Sequence, residues 1–574
     1  MNYSNKSADI FYTVILFVVC FLLFCTNISG YPYIDTDETK FVSIAKDMLN
    51  YSDWLNIKLS GENFFDLSPL FFWITNLSCL IFGKISPEAV RAPVSLISFL
   101  GIIVLYQSIK NIITKTYAFI ISMIMAACLG TVVFSRLATN DMMFAVITMC
   151  IILTAYLSIF SKNTSNTYKY WIVIYILSAF SMLCAGLFGI LIPLISIMAI
   201  YIFAGRLKEV FKPCNMILGL IIFLIIAMPW HLIMIYKHGV LFIKESLLAY
   251  NFLQYIGIKE FAKVIGFFVL GFSPWAFSFL WILGRKFKDI TTSVTAYFKD
   301  NSQDKLKEKW KKLSKVDKFL SLNTIVFFTV LIFSLLYGTK YTFLILLLMF
   351  PASCISGHYW YEYIIKKDHD KSIFFSTIIP NLILIICSLL GLFGHNILNR
   401  WLFQGLNHLI IPLIIIFFII PVTSIFAVIL KGRIVPYAAN IILMISLSFV
   451  ITPSLFNFMT LNGGENDLIN FARIAHRDNA KLAAYIPSRK YSLVYYYDKP
   501  VIFKKNNDIN LLRNYLNENP SAYVVVEIKE LWTIEENNIK YMLLDSGKRY
   551  CLIQHMSNEL EQFEDNTEPE VIVY

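Results

Sequence analysis

The chain has 574 residues, of which 57% are hydrophobic and only 15% are charged, and its mean hydropathy is +0.64. This composition excludes a set of soluble domains and predicts a multi-pass membrane protein. The 49 basic and 38 acidic residues give a formal net charge of +11, which cytoplasmic loops of a membrane protein explain. We find no nucleic-acid-binding motif.

Thirteen apolar runs along the chain are long enough to cross a bilayer, which needs about 20 residues as a helix. A further apolar run at 69–82 is shorter. The thirteen predicted spans are 10–28, 90–109, 117–136, 141–160, 169–185, 187–204, 215–235, 264–284, 319–338, 341–361, 372–393, 407–430 and 436–456.

The basic residues indicate whether 69–82 crosses the membrane. If it does not cross and the N-terminus is cytoplasmic, nearly every Lys and Arg cluster lies in a cytoplasmic loop, including the stretch 285–318. If it crosses, the same clusters face outward, against the positive-inside rule. We therefore interpret 69–82 as an interfacial or re-entrant helix on the outer face, and this topology places the region after residue 456 outside.

The predicted fold is a polytopic α-helical membrane protein of about 13 transmembrane helices with a C-terminal external α/β domain. The transmembrane domain is 1–456, with an external juxtamembrane platform at 33–84 and a basic cytoplasmic loop at 285–318. The external domain is 457–574. Within it, hydrophobic periodicity predicts helices at 468–485 and 508–516, and strands at 491–496, 501–503, 523–528 and 541–544.

The platform carries an unusual group of carboxylates, Asp35, Asp37, Glu38 and Asp66. One interpretation is structural: Asp35 followed three residues later by Glu38 is typical of a capping box, and Asp37 suits the first turn of a helix. The other interpretation is catalytic, because acidic side chains beside a membrane need a reason to be there. The residues that follow, 41–49, have the spacing of an amphipathic helix in the interface.

Several short segments resemble, in the same order, the aminoarabinose transferase and protein O-mannosyltransferase families. These families are C-type glycosyltransferases whose donors are sugars on polyprenyl phosphate. Each segment is weak alone, but the ordered set covers the membrane part almost from end to end. The segments are TDETK (36–40), IAKDML (44–49), SDW (52–54), FFD (64–66), PL (69–70), Trp73, FG (82–83), RAP (91–93), TND (139–141), PW (229–230 and 274–275) and GTK (338–340).

The resemblance implies roles for individual side chains. Transfer of a sugar from a lipid phosphate to a hydroxyl needs a carboxylate near the incoming oxygen and cations near the departing phosphate. We assign Asp37 to orient or deprotonate the acceptor hydroxyl and Glu38 to shape the site. Asp141 is a second catalytic candidate, with helix capping as its alternative. The candidate substrate-binding residues are Asp66, Lys340, Arg91, Lys40 and Asn251.

Several of these assignments leave alternatives open. Lys340 either binds the lipid phosphate or anchors a helix at the interface, and Arg91 has the same two interpretations. A divalent metal at Asp66 is a further alternative, but it is poorly supported because Asn251 stands where the resemblance leads us to expect a histidine. No cofactor and no metal ligand are therefore assigned. The positions at which the chain lacks a cation of the family pattern are Leu67, Ala185, Asn251 and Gln254.

The leading hypothesis is a glycosyltransferase of the bacterial inner membrane with its active face in the periplasm. It would move a sugar, such as 4-amino-4-deoxy-arabinose, from polyprenyl phosphate to lipid A or another envelope glycolipid. One alternative is a protein O-glycosyltransferase. Another is a non-catalytic lipid-carrier binder or transporter, which predicts acids inside the spans, whereas the acids here cluster outside them.

Overall fold

The computed structural model divides the chain into two units, each formed by two separate stretches of sequence. The first unit comprises Met1–Gly30 and Phe65–Ser454, and the second comprises Tyr31–Phe64 and Leu455–Tyr574. The predicted platform is therefore shared between the two units. The residues that the structure describes are 2–35, 37–59, 61–161, 164–247, 257–284, 310–338, 342–366, 371–393, 407–462, 464–504 and 509–555.

The first unit is a bundle of mostly apolar helices. Most are apolar all round, as expected where both lipid and neighbouring helices are apolar. Its helices are α1 (Asn2–Cys20), α3 (Leu70–Phe82), α4 (Pro87–Ile112), α5 (Lys115–Ala126), α6 (Leu129–Phe134), α7 (Asn140–Phe160), α8 (Thr164–Ala185), α9 (Phe188–Phe203), α10 (Pro213–Phe242), α11 (Ile258–Gly271), α12 (Ala276–Gly284), α13 (Lys315–Tyr337), α14 (Thr342–Tyr361), α15 (Lys371–Phe393), α16 (Asn407–Ile429) and most of α17 (Ile434–Asn462).

Among the described residues, seven helices are long and apolar enough to cross a membrane, or eight if the bent pair α11 and α12 counts as one span. The prediction of thirteen spans is not confirmed. The predicted span 117–136 is broken between α5 and α6, where the backbone N–H of Leu129 donates to Ser273 instead of to its own helix. Helix α3 has 13 residues, about 20 Å, which is shorter than the hydrocarbon core of a bilayer.

A buried arginine, Arg136, joins the first and last helices of this unit. Its Nε donates to the carbonyl of Leu23 at 2.7 Å, and Nη2 donates to the carbonyl of Leu22 and to Thr26 Oγ1, both at 3.3 Å. Nη1 and Nη2 also donate to the backbone carbonyl and hydroxyl of Ser448. The two leucine carbonyls belong to a π-helical turn, Phe21–Cys25, and this looser winding leaves acceptors for the guanidinium.

The second unit combines residues 31–64, the first loop, with the C-terminal region from residue 455 onward, around a mixed sheet. The sheet order is β4-β3-β5-β7-β6, with β3 parallel to β4 and β5, and β7 antiparallel to β5 and β6. Its elements are α2 (Asp37–Asn50), β1 (Lys58–Leu59), β2 (Glu62–Asn63), α18 (Glu465–Arg477), β3 (Leu482–Tyr485), α19 (Tyr491–Tyr497), β4 (Ile502–Lys504), α20 (Ile509–Glu518), β5 (Tyr523–Glu527), α21 (Leu531–Glu536), β6 (Tyr541–Ser546) and β7 (Tyr550–His555).

The sheet is covered on both faces. In β3, Leu482 and Ala484 pack in one apolar cluster, whereas Ala483 and Tyr485 pack in a second. Because successive side chains of a strand point to opposite faces, the two clusters lie on opposite sides of the sheet. A strand that is buried on both faces is apolar throughout, which explains why apolar and polar residues do not alternate along β3.

Two secondary-structure predictions in this unit are wrong. The segment 491–496 was predicted as a strand but forms helix α19, with Ser492, Leu493, Val494 and Tyr497 buried. The predicted helix 468–485 ends at Arg477, and its last four residues form β3. In both places tertiary packing overrides the local preference of the sequence. Residues 285–309 of the predicted basic loop 285–318 lie outside the described residues.

Candidate functional site

Asp35 of the first loop is bound to the N-terminus of α19. Its Oδ1 accepts a hydrogen bond from the backbone N–H of Tyr491 at 3.1 Å, and its Oδ2 accepts one from Ser492 Oγ at 3.0 Å. Thr39 Oγ1 donates to Oδ1 at 2.5 Å, and Lys490 Nζ lies 3.8 Å from Oδ2. The carboxylate therefore joins α2 to a helix more than 450 residues away in sequence, which sequence reasoning had missed.

Glu38 is engaged within its own segment. Its Oε2 accepts a hydrogen bond from the backbone N–H of Ile34 at 2.9 Å, and the residue is only 2% exposed. This is not the predicted capping box, in which Glu38 would bind the backbone N–H of Asp35, three residues earlier. Its partner is the N–H of Ile34, four residues earlier, and the Asp35 carboxylate binds α19 instead. Asp37 is the first residue of α2, but its side chain lies outside the described residues, so its role stays a prediction.

Lys46, near the other end of α2, is bound to the C-terminus of α19. Its Nζ lies 2.8 Å from Asp498 Oδ1 and donates to the backbone carbonyl of Tyr495 at 3.2 Å. The ammonium also lies 4.9 Å from the centroid of the Tyr495 ring, which packs edge-on against Tyr33 at 5.2 Å. The segment 33–46 thus contacts both ends of α19, with a carboxylate at its N-terminus and a cation at its C-terminus, the arrangement that the helix dipole favours.

Glu465 opens α18 beside these carboxylates. It is 6% exposed, and its Oε2 has no hydrogen-bond partner among the residues that the structure describes. Burial and the negative charges of Asp35 and Glu38 raise the pKa of Glu465 to about 7, and Lys490 offsets this only in part. Gly464, the residue before Glu465, lies against Arg549 and against Tyr550, the first residue of β7. Glu465 is therefore a buried acid that titrates near neutral pH.

We expect Glu465→Gln to raise the melting temperature by roughly 5 °C at pH 8 and to change it little at pH 5. The pKa of about 7 in the folded protein is above the ordinary value of 4.5, so the stability that the protonated acid provides is present below pH 4.5 and is lost as the pH rises through 7. Glutamine mimics the protonated form at every pH. Differential scanning fluorimetry from pH 5 to 9 measures the melting temperatures of both proteins, and Glu518→Gln, at an exposed position, is the control. Equal shifts in melting temperature at pH 5 and at pH 8 would contradict the prediction.

In the first unit, Asp141 links two helices that begin at the same end of the bundle. It lies in the first turn of α7, and its Oδ1 accepts a hydrogen bond from Thr342 Oγ1 at the start of α14, at 3.0 Å. The N-cap of α7 is Thr139, whose side chain makes no capping bond. Lys340, just before Thr342 in sequence, lies outside the described residues, as do Asn251 and Gln254.

The other predicted binding residues have separate surroundings. Arg91 is buried, and its Nη1 donates to the carbonyl of Ile28 at 2.7 Å, which ties α4 to the segment after the first span. Lys40 Nζ lies 5.5 and 5.8 Å from the ring centroids of Phe41 and Phe64. Asp66 is exposed. Glu38 and Lys40 belong to the second unit, whereas Asp66, Arg91 and Asp141 belong to the first.

Helix α10 folds back on itself at Gly239, a feature that the sequence did not lead us to predict. The folded-back part contacts Phe65, the residue before Asp66. Gly239 has φ 57° and ψ −135°, a conformation that essentially only glycine adopts. Trp230 and Phe242 would lie about 18 Å apart on a straight helix, yet their ring centroids are 5.7 Å apart. Phe65 packs edge-on against Phe242 at 5.6 Å. A glycine near the end of an apolar helix was the available signal.

The first unit also contains an apolar cavity of about 290 Å³. Trp360 of α14, Asn381 of α15 and Leu443 of α17 are among its lining residues, and most of the others are apolar. Such a lining suits hydrocarbon better than a sugar. Across the described part of the chain, no group of three or more His, Cys, Asp and Glu side chains is arranged to hold a metal ion.

This chain is similar to known proteins in both sequence and fold. Residues 66–233 match the family described as dolichyl-phosphate-mannose-protein mannosyltransferase. The chain is 15% identical to ArnT from Cupriavidus metallidurans bound to undecaprenyl phosphate, with a TM-score of 0.70 over 96% of this chain and 99% of that one. The predicted family resemblance is confirmed. The apo form of the same protein gives a TM-score of 0.68 at 13% identity, covering 96% and 98%.

Curated relatives agree with this resemblance. The undecaprenyl phosphate-alpha-4-amino-4-deoxy-L-arabinose arabinosyl transferase of Photorhabdus laumondii is 23% identical over 235 residues, covering 40% of this chain and 40% of the relative. The enzyme of the same name from Serratia proteamaculans is 20% identical over 230 residues, covering 38% and 40%. The matched region thus spans about 40% of the length of these relatives, whereas the shared fold extends over nearly the whole chain.

Proposed function

We propose that this protein is a membrane glycosyltransferase that takes its sugar from a polyprenyl phosphate. The observation that carries the proposal is the fold, which is shared over 96% of the chain with a transferase crystallised with undecaprenyl phosphate. The match of 66–233 to a family of lipid-phosphate-dependent mannosyltransferases supports the same reaction class. The apolar cavity of the first unit suits a segment of the isoprenoid chain.

The names of the relatives suggest the substrates. We propose undecaprenyl phosphate-linked 4-amino-4-deoxy-L-arabinose as the donor and a glycolipid of the lipid A type as the acceptor. The reaction would take place on the periplasmic face of the bacterial inner membrane, where the positive-inside rule places the first loop and the C-terminal region. The external α/β domain and the platform would then lie on the same side as both substrates.

In the proposed reaction, the acceptor hydroxyl oxygen attacks the anomeric carbon of the donor. The bond between that carbon and the phosphate oxygen breaks, polyprenyl phosphate leaves, and Asp37 takes the hydroxyl proton. The buried Glu38, whose carboxylate is bound to the backbone of Ile34, would shape this site. Asp141 would hold the start of α14, and Lys340, two residues before that helix in sequence, would bind the departing phosphate.

The direct test is transfer by the purified full chain in lipid nanodiscs, with undecaprenyl phosphate-4-amino-4-deoxy-L-arabinose as donor and lipid A as acceptor. Mass spectrometry should find lipid A carrying one added aminoarabinose, together with free undecaprenyl phosphate in equal amount. Sugar on protein and none on glycolipid would favour a protein O-glycosyltransferase. Binding of the donor without any product would favour a lipid-carrier binder. Glycolipids from cells with and without the gene provide the matching comparison in vivo.

A further inference from the structure

We propose that helix α19 of the C-terminal region is a positioning element for Asp37, with Ser492 and Lys46 as the positioning residues. The inference rests on the proposed function, because Asp37 is the residue assigned there to the acceptor hydroxyl. It gives the C-terminal region a part in the reaction, for which the sequence had offered no role. In this proposal Ser492 and Lys46 act through the backbone of α2.

The first attachment lies two residues before Asp37. The side chain of Asp35 has no solvent exposure, and Ser492 is 1% exposed, so water does not compete for the hydrogen bond between them. The backbone N–H of Tyr491 provides a second donor to the same carboxylate. Charge-assisted hydrogen bonds of this kind are stronger and more directional than neutral ones. The position of residue 35 is therefore fixed relative to α19.

The second attachment lies nine residues after Asp37. Lys46 binds Asp498 and the carbonyl of Tyr495, at the opposite end of α19 from Ser492. Helix α19 has 7 residues, so the two attachments are separated by about 10 Å of rigid helix. One attachment alone would allow α2 to pivot, whereas two attachments at opposite ends restrict both its translation and its rotation. The first turn of α2, which begins at Asp37, is held between them.

This restraint has a catalytic consequence. A displacement of about 1 Å in a reacting group lowers the rate of transfer more than it weakens substrate binding. Loss of either attachment should therefore lower kcat and leave KM nearly unchanged. A contact that only stabilises the fold would instead lower the amount of active enzyme, without a dependence on Asp37.

The first experiment is a double-mutant cycle in the transfer assay described above. We expect Ser492→Ala and Lys46→Met each to lower kcat about tenfold, with KM within about twofold of the wild type. Ser492→Thr, which keeps the hydroxyl, should restore most of the rate. Lys481→Met removes an exposed lysine of the same unit whose bond to Asn519 is 3.5 Å long, and it should have no effect.

The cycle is completed by Asp37→Asn. If Ser492 acts through Asp37, Ser492→Ala should not lower the residual rate of Asp37→Asn any further, because the group that it positions is already inactive. Equal effects of Ser492→Ala in both backgrounds would overturn the proposal. An unchanged kcat in both Ser492→Ala and Lys46→Met would also overturn the proposal.

The second experiment does not depend on activity and separates this proposal from the proposed function. Hydrogen exchange of the full chain in nanodiscs should show about tenfold faster exchange of the backbone amides at 38–41 in Ser492→Ala and Lys46→Met, with no change in Lys481→Met. If the wild type transfers no sugar but exchange behaves in this way, the positioning contact is supported and the assigned reaction fails. If transfer occurs but exchange at 38–41 is unchanged, the positioning proposal fails.

Discussion

Replacing Asp37 by asparagine should lower kcat for sugar transfer by a factor of about 10² to 10⁴, the usual contribution of a positioned acid or base. Asparagine has nearly the same shape as aspartate and keeps a hydrogen-bond acceptor, but it cannot take the proton of the acceptor hydroxyl. The effect should therefore appear in kcat, with the KM values for donor and acceptor changed little. Initial rates with the purified chain and both lipid substrates measure it.

The matched control is Glu62→Gln, which removes a carboxylate from the exposed strand β2 of the same loop. It should leave both kinetic constants unchanged. Asp37→Glu retains a carboxylate at a shifted position and should retain more activity than Asp37→Asn. Full activity of Asp37→Asn would rule out a catalytic role for this residue and would leave only helix capping as its explanation.

The local features of the first loop were accessible from the sequence. The helix that begins at Asp37 follows from residue types at short spacing, which is the range over which capping acts. The predicted capping box does not form, because Glu38 binds the backbone N–H of Ile34 and not that of Asp35. The partner of Asp35 was not accessible in this way. Ser492 and Tyr491 lie far along the chain, and no local pattern encodes a contact between segments so distant. The loop was therefore assigned to the membrane part of the chain, whereas its contacts place residues 31–64 with the C-terminal region.

The same limit explains the error at α19. Its sequence, YSLVYYY, favours a strand on residue preference alone. In the structure, the helix has hydrogen-bonding groups bound at both ends by Asp35 and Lys46, and it buries Leu493 and Tyr497 against the sheet. The helical nature of the apolar runs is accessible because its signal is contained within about 20 residues, but their number as spans is not, since seven or eight of the described helices are long and apolar enough to cross. Breaks such as the one between α5 and α6 depend on Ser273, which is distant in sequence.

Replacing Arg136 by methionine should lower the free energy of unfolding by about 3 kcal/mol, the largest stability effect that we expect. The substitution keeps an apolar side chain of similar length but removes the donors to the carbonyls of Leu22 and Leu23, to Thr26 and to Ser448. The carbonyls of Leu22 and Leu23 keep hydrogen bonds from Thr26 Oγ1 and Ser448 Oγ, so fewer acceptors lose their last donor than the guanidinium binds. Each acceptor that does costs about 1–3 kcal/mol. Unfolding in mixed micelles, followed by intrinsic fluorescence, measures the loss.

Two further variants decide whether the geometry or the charge of Arg136 matters. Arg136→Lys keeps the charge, but it replaces the planar guanidinium fork of five donors with an ammonium of three, so we expect it to recover less than half of the stability. Lys263→Ala removes a cation whose ion pair with Glu260 is at the surface, and it should change the free energy of unfolding by less than about 1 kcal/mol. If Arg136→Met were as stable as the wild type, the guanidinium would not hold the π-helical turn of the first span to α17, and apolar packing alone would have to account for that junction.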